Sequence, residues 1–260
     1  VHMSFDGIEN AVKLTSLVLD NTNMRSIDGI GMARGLLELN LGDNSLAGPI
    51  PTELSRLVSL QALILKNNFL TGTLPIWLGT LHELTTLLLD DNEISGGMLS
   101  FDNYKHLTML NLSTNVLTGP IPRTFLLNSP REEKVYIDVS NNRLSGTIPF
   151  DLERSLKLTL HAHQNQIVGV DSRLCSLQGW QDGKVTQFGC DAILCPVGTY
   201  NDKGRQTLED KPCMNCTNQP SPFMGATQCG PTSTAATRRT KTRLLLTISS
   251  IISLLVAYIV

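Results

Sequence analysis

No cysteine occurs before Cys175, and aromatic residues make up only 5% of the 260-residue chain against a hydrophobic content of 41%. The core material is therefore aliphatic, and nothing ahead of Cys175 can cross-link it covalently. An excess of charge is missing as well: a formal net charge of −2 gives no basic surface of the kind that binders of nucleic acid and other polyanions carry. The chain has no Gly-x-Ser-x-Gly, His-Glu-x-x-His, P-loop or kinase signature, so the usual constellations for hydrolysis and phosphoryl transfer are absent. Gly29-Ile-Gly31-Met-Ala-Arg-Gly35 is glycine-rich, but its last spacing is one residue too long for a dinucleotide fingerprint. It reads as a loop between structural units. His161-Ala-His163 could set two imidazoles on one strand face, yet no third ligand is evident, so neither a metal nor a cofactor is expected. The two are read as surface histidines able to tune binding with pH. The chain is read as a non-enzyme.

What is present is a repeat. Leu36 to Pro51 reads LLELNLGDNSLAGPIP, and the frame L-x-x-L-x-L-x-x-N-x-L-x-G-x-(I/L)-P returns from Leu60 to Pro75, 24 residues later. Copies start near Leu14, Leu36, Leu60, Leu84, Leu107, Lys134 and Lys157, which makes about seven coils. Self-similarity at this period marks a solenoid, because one coil cannot bury its own apolar face and stacking completes the core. One column runs Thr22, Asn44, Asn68, Asn92, Asn115, Asn142, Asn165. Each coil must turn sharply after its short strand, leaving inward backbone groups that need partners. A buried carboxamide supplies both donors and acceptors, so the column is expected to form an Asn ladder.

Leucines at the first, fourth, sixth and eleventh positions are expected to point inward. The sixth copy places Lys134, Ile137, Val139 and Leu144 in frame, after a bulging loop at Asn128 to Glu133; the seventh has Lys157, Leu160, Ala162 and Ile167 and closes the series as a terminal coil. The fourth reads Gly96-Gly97-Met98-Leu99 where Gly-x-Ile-Pro is expected, so its convex side should be irregular.

These residues resemble the leucine-rich repeat superfamily in its plant-type subclass, over roughly Leu14 to Asp171. The resemblance implies an α/β solenoid: a right-handed superhelix with a concave parallel β-sheet and 3₁₀ turns or extra β segments on the convex side. Members are typically extracellular recognition domains of receptor-like proteins, and they carry a cysteine-paired cap that this chain lacks, so the start at Val1 reads as a fragment. No secretory signal precedes the first coil.

Cys175, Cys190, Cys195, Cys213, Cys216 and Cys229 then crowd a segment rich in Gly, Pro and Asn. An even set in so little apolar sequence suggests a small disulfide module, and a zinc site is disfavoured because Cys213-Met-Asn-Cys216 has no second pair or nearby His. Six cysteines allow about 15 pairings. The run Cys195-Pro-Val-Gly-Thr-Tyr resembles cysteine-rich repeats found beside receptor ectodomains and leucine-rich repeat membrane proteins of unicellular algae. That resemblance implies Cys195 with Cys213 and Cys216 with Cys229, leaving Cys175 with Cys190. Oxidised cysteines and the sequons at Asn111 and Asn215 both point to the secretory route.

The chain thus divides into repeats (1–172), a membrane-proximal cysteine-rich module (173–230), a Ser/Thr and basic stalk (231–243) and a C-terminal hydrophobic helix (244–260). The last segment, LLLTISSIISLLVAYIV, carries no charge. At about 1.5 Å per residue it is marginal for spanning a ~30 Å hydrocarbon core. Arg238, Arg239, Lys241 and Arg243 precede it, against the positive-inside rule if the module lies outside. A retained span, a cleaved glycolipid-anchor signal after the small residues Ser233 to Ala235 and a truncated gene product all stay open, and each puts the repeats outside the plasma membrane.

Residues alternating with the inward leucines must face outward. They give the candidate ligand-binding positions Asn40, Ile64, Lys66, Leu88, Asp90, Asn111, Asp138, His161 and His163. Ile64 and Leu88 form an apolar patch flanked by charge, and a glycan on Asn111 would cover part of the face. The expected function is membrane-anchored recognition of an extracellular peptide, protein or glycan, with a membrane co-receptor implied because no residues follow Val260. An adhesion scaffold without a selective ligand and an inhibitor-like secreted protein are the alternatives.

Overall fold

The computed structural model describes residues 5–230; the expected stalk at 231–243 and hydrophobic helix at 244–260 lie outside the described residues. The strands run in chain order: β1 (Ser16–Val18), β2 (Glu38–Asn40), β3 (Ala47–Pro49), β4 (Ala62–Ile64), β5 (Phe69–Thr71), β6 (Thr86–Leu88), β7 (Ser95–Gly97) and β8 (Met109–Asn111). They continue with β9 (Val116–Pro120), β10 (Lys134–Asp138), β11 (Arg143–Ile148), β12 (Lys157–His161), β13 (Gln166–Val170), β14 (Thr199–Tyr200) and β15 (Met214–Asn215). A seven-stranded parallel sheet has the order β1-β2-β4-β6-β8-β10-β12, one strand from each of the seven repeat copies. On the opposite side β3 pairs with β5, and β7, β9, β11 and β13 form a second parallel sheet.

Each coil is shaped by residues that accept unusual backbone angles. After every strand of the long sheet one residue turns the chain through the left-handed region: Asn21, Asp43, Asn67, Asp91, Thr114, Asn141 and Gln164 have φ between 50° and 56°. Asn and Asp tolerate that region better than other side chains do. These residues, each standing just before the Asn-ladder position, form the turn. In three of the seven coils a proline then opens a 3₁₀ helix: Pro51 before Thr52–Arg56, Pro75 before Ile76–Thr80 and Pro149 before Phe150–Arg154. Its fixed φ suits a helix start and its missing N–H leaves no orphan there. The fourth coil lacks this proline. Its strand β7 still forms and pairs with β9, but among the described residues no 3₁₀ helix follows before β8. Phe101, Tyr104 and Phe125 fill the gap, with ring centroids 5.5 and 5.9 Å apart along the cluster.

The glycine-rich run at 29–35 is a 3₁₀ helix, Ile30–Met32, stacked on the next coil. A Cβ on Gly31 would lie 2.4 Å from the Glu53 carbonyl oxygen, so close backbone packing explains the glycine.

The leucine columns are sealed from Leu36 onward, where the inward positions are at most a few per cent exposed. In the first coil Leu14, Leu17 and Leu19 are only partly buried. Lys134 and Lys157 are not inward, contrary to the repeat frame: both are exposed, and Val135 and Leu158 take the buried place. Strands β10 and β12 are five residues long rather than three, so period-two alternation from Ile137 and Leu160 carries the inward face back to 135 and 158.

The Asn ladder closes every coil onto the one before it. Asn92 Nδ2 donates to the carbonyls of Leu65 (3.0 Å), Leu89 (3.0 Å) and Asp90 (3.2 Å), and its Oδ1 accepts from the Leu70 amide at 3.0 Å. Asn68, Asn115, Asn142 and Asn165 repeat the pattern. Thr22, which stands in the first place of the column, donates its hydroxyl to the Leu19 carbonyl and to Asn44 Oδ1. Asn92→Ala leaves several buried backbone groups without partners, each costing about 1–3 kcal/mol. The expected loss in urea unfolding is about 3 kcal/mol or more. Asn92→Asp, which keeps the acceptor but loses the donors, should not restore it.

Candidate recognition face

The strand register turns alternating residues into straight rows across the long sheet. Val18, Asn40, Ile64, Leu88, Asn111, Asp138 and His161 lie opposite one another from β1 to β12. Ile64 and Leu88 are direct neighbours and both partly exposed. A second row, Ser16, Glu38, Ala62, Thr86, Met109, Tyr136 and Thr159, runs beside it. Its Met109, 41% exposed, extends the apolar patch, and Tyr136 adds a hydroxyl beside Asp138. The signal for this row is the same alternation taken one step earlier, at the third repeat position.

Three of the expected binding residues are already engaged. Asn40 Oδ1 accepts from the Gly42 amide, Asn111 Oδ1 from the Ser113 amide and Asp138 Oδ1 from the Ser140 amide, at 2.9–3.0 Å. Each carboxyl or carboxamide oxygen braces its own turn, as short polar side chains do two residues on. Lys66 is drawn to Asp43, 3.6 Å away, while Asn67 donates to the same carboxylate at 2.6 Å. Asp90 has one carboxylate oxygen buried without a hydrogen-bond partner. Burial raises its pKa, opposed by its own backbone amide and by Lys66.

The two histidines depart from expectation: neither is free on the surface. The cysteine-rich segment folds back over the end of the row and covers them. Arg205 Nη2 donates to His161 Nε2 at 2.7 Å and Arg205 Nη1 donates to Gln181 Oε1. Because a guanidinium has only donors, His161 Nε2 accepts, and the ring proton sits on Nδ1. That nitrogen faces the Tyr136 hydroxyl at 3.2 Å and Asp138 Oδ2 at 3.6 Å. Burial works against the Asp138 carboxylate, yet the bonds from His161 and Ser140 outweigh it and hold its pKa down. Burial lowers the Arg205 pKa, and in Tyr136 burial with the nearby Asp138 charge raises it.

The segment itself is held by Cys175–Cys190, Cys195–Cys213 and Cys216–Cys229, the pairs implied by the cysteine-repeat resemblance. Trp180, Val185, Ala192, Ile193 and Leu194 continue the leucine core into it. Of the two sequons, Asn215 is exposed on β15 and Asn111 is half-buried in the row. Among the described residues no group of His, Cys, Asp and Glu is placed to hold a metal ion, and no helix is long and apolar enough to cross a membrane.

A stacked series of short parallel strands closed by an asparagine ladder defines a leucine-rich solenoid. Residues 35–57, 59–81 and 135–155 match the family model described as Leucine Rich Repeat, and these repeats are of the leucine-rich repeat superfamily. No curated protein matches the chain. Among solved structures it is similar to the ectodomain of the receptor kinase GASSHO1/SCHENGEN3 from Arabidopsis thaliana in complex with CASPARIAN STRIP INTEGRITY FACTOR 2. The identity is 30% over 69% of this chain and 22% of that one, with a TM-score of 0.63. The ectodomain of the Arabidopsis receptor kinase HAESA, in complex with an IDA peptide hormone, is 30% identical over 67% of this chain and 29% of its own, with a TM-score of 0.59. A plant ice-binding protein is 27% identical over 66% of this chain and 64% of its own, with a TM-score of 0.50. The chain thus spans less than a third of either receptor ectodomain.

A carboxylate whose folded pKa is raised is favoured in its protonated form, so Asp90 weakens the fold above that pKa and does so less as pH falls through it. Asp90→Asn should raise the unfolding free energy from urea titration at neutral pH by less than about 1 kcal/mol once solvent screening is allowed for. The gain should shrink in acid, read by repeating the titration at pH 4.

Proposed function

We infer that the long sheet is the recognition surface of an extracellular, membrane-anchored receptor-like protein, and that its ligand is a peptide or an extended protein segment. One observation carries this: partly exposed Ile64 and Leu88 stand side by side in an unbroken row, with Met109 beside them in the neighbouring row. A contiguous apolar patch on a rigid sheet, rimmed by Lys66, Asp43 and Asp90, has the composition of a binding site rather than of scattered surface aliphatics. Two similar ectodomains were solved with CASPARIAN STRIP INTEGRITY FACTOR 2 and with an IDA peptide hormone, which supports a peptide ligand. The ice-binding neighbour shares the fold, so the reading rests on the patch and not on the repeats. Three disulfides fit an oxidising, extracellular address. The apolar residues 244–260 supply the anchor, a co-receptor supplies signalling, and Asn215 is the sequon open to glycosylation.

Selection of random displayed peptides against the full chain tests the reading. Enriched clones should bind the Ile64→Glu, Leu88→Glu double variant at least tenfold more weakly, since two buried apolar contacts are worth well over 1.4 kcal/mol. Circular dichroism melting controls for folding. Undiminished binding to the folded double variant would place the site elsewhere, and failure to enrich any clone would favour an adhesion scaffold.

A further inference from the structure

The outward row does not end at solvent. Past Asp138 it runs under the cysteine-rich segment, which is held there by contacts of three kinds. Backbone bonds join the two: the Gln164 amide donates to the Gly225 carbonyl at 3.2 Å and the Met224 amide to the Ile167 carbonyl at 2.8 Å. Close packing adds to them. A Cβ on Gly204 would stand 2.4 Å from His163 Cβ, and one on Gly225 would stand 3.1 Å from His163 Cα. The third contact is the bond from Arg205 to His161.

The titratable groups around these histidines come from both sides of the joint. His161 faces Tyr136 and Asp138 of β10, His163 of its own strand region, and Arg205 of the segment. His163 is influenced by Asp138, His161, Arg205 and Lys203, and its Nδ1 is buried without a partner. Asp182 acts on Arg205 from the turn at Trp180–Gly183. Protonation of His161 would put a second N–H on the nitrogen that now accepts from Arg205. An acceptor becomes a donor, and two cations stand where one bond stood. Asp138 stabilises the imidazolium from the side of the sheet, so charging the ring strengthens its hold on β10 while expelling the segment. His163 cannot charge where it lies without losing hydration.

We propose that the cysteine-rich segment is an acid-released lid over the end of the recognition row, with Arg205 as its latch and His161 and His163 as its trigger. Opening uncovers His161 and His163 and so lengthens the surface open to a ligand. The device does not depend on the recognition reading, because it is tested with no ligand present.

The sign follows from linkage. Burial lowers the His163 pKa from 6.5 to about 4, so closure is at full strength above 6.5 and weakens as pH falls toward 4. At pH 5 this group alone favours opening roughly thirtyfold relative to pH 7.5. Hydrogen exchange of the full chain, corrected for intrinsic rates, reads it directly. The amides of Gln164 and Met224 should lose protection at least tenfold between pH 7.5 and pH 5, while those of Leu65 and Leu89 keep theirs. The double variant His161→Gln, His163→Gln should show no such change, since glutamine can accept from Arg205 but does not titrate. Equal protection of Gln164 and Met224 at both pH values in the wild type overturns the proposal, and so does the same loss in the double variant. Should that variant fail to fold, imidazole resonances of the wild type decide. Titration of His163 in step with the loss of protection at Gln164 supports the lid, and titration out of step refutes it.

Discussion

Every coil of this solenoid has to reverse direction inside its own core, and the cost of doing so falls on backbone groups that no strand can pair. A strand of three residues, such as Ala62–Ile64, satisfies its own amides and carbonyls through its neighbours. The residues just past it, already turning through the left-handed region, cannot. Asparagine solves this because one carboxamide has two donors and an acceptor in fixed geometry. It reaches two carbonyls of its own turn, one carbonyl of the preceding coil and one amide of that same coil. The ladder therefore fixes the stacking of the coils as well as the turn, and the straight outer rows follow from that register.

The periodic part of this design was legible in the residues. Coil number, strand positions, the Asn column and the outward row through Ile64 and Leu88 all follow from a spacing that repeats, because a solenoid's contacts are between equivalent positions of adjacent coils. Two features with no period were out of reach. Lys134 and Lys157 sit in frame yet stay exposed, since strand length rather than repeat position decides which residue of a longer strand turns inward. The covering of His161 and His163 depends on Gly204, Arg205 and Gly225, tens of residues away in a segment with no repeat, and nothing local to the His-Ala-His triplet announces it. The polarity of Asn40, Asn111 and Asp138 misled in a third way: a polar residue on an outer strand reads as available, although its oxygen is used by the amide two residues on.

Those engagements narrow what the face can offer. With Asn40, Asn111 and Asp138 bracing turns and Lys66 drawn to Asp43, the groups left uncommitted along the rows are chiefly apolar: Val18, Ile64, Leu88 and Met109. Specificity would then come from the shape of that strip and from the charges of Lys66, Asp43 and Asp90 at its rim.

The closed end of the face is governed by the same accounting of buried charge. A guanidinium and a carboxylate removed from water stabilise a fold only when their remaining donors and acceptors are filled. Asp138 and Arg205 do not touch. A neutral imidazole stands between them, accepting from the one through Nε2 and turning its N–H toward the other through Nδ1. That arrangement works in one protonation state of His161 only, because a charged ring has no acceptor to give Arg205. The joint between repeats and disulfide segment is thus built around a ring whose acceptor is lost when it gains a proton, whereas a Gln at the same place would keep its acceptor at any pH.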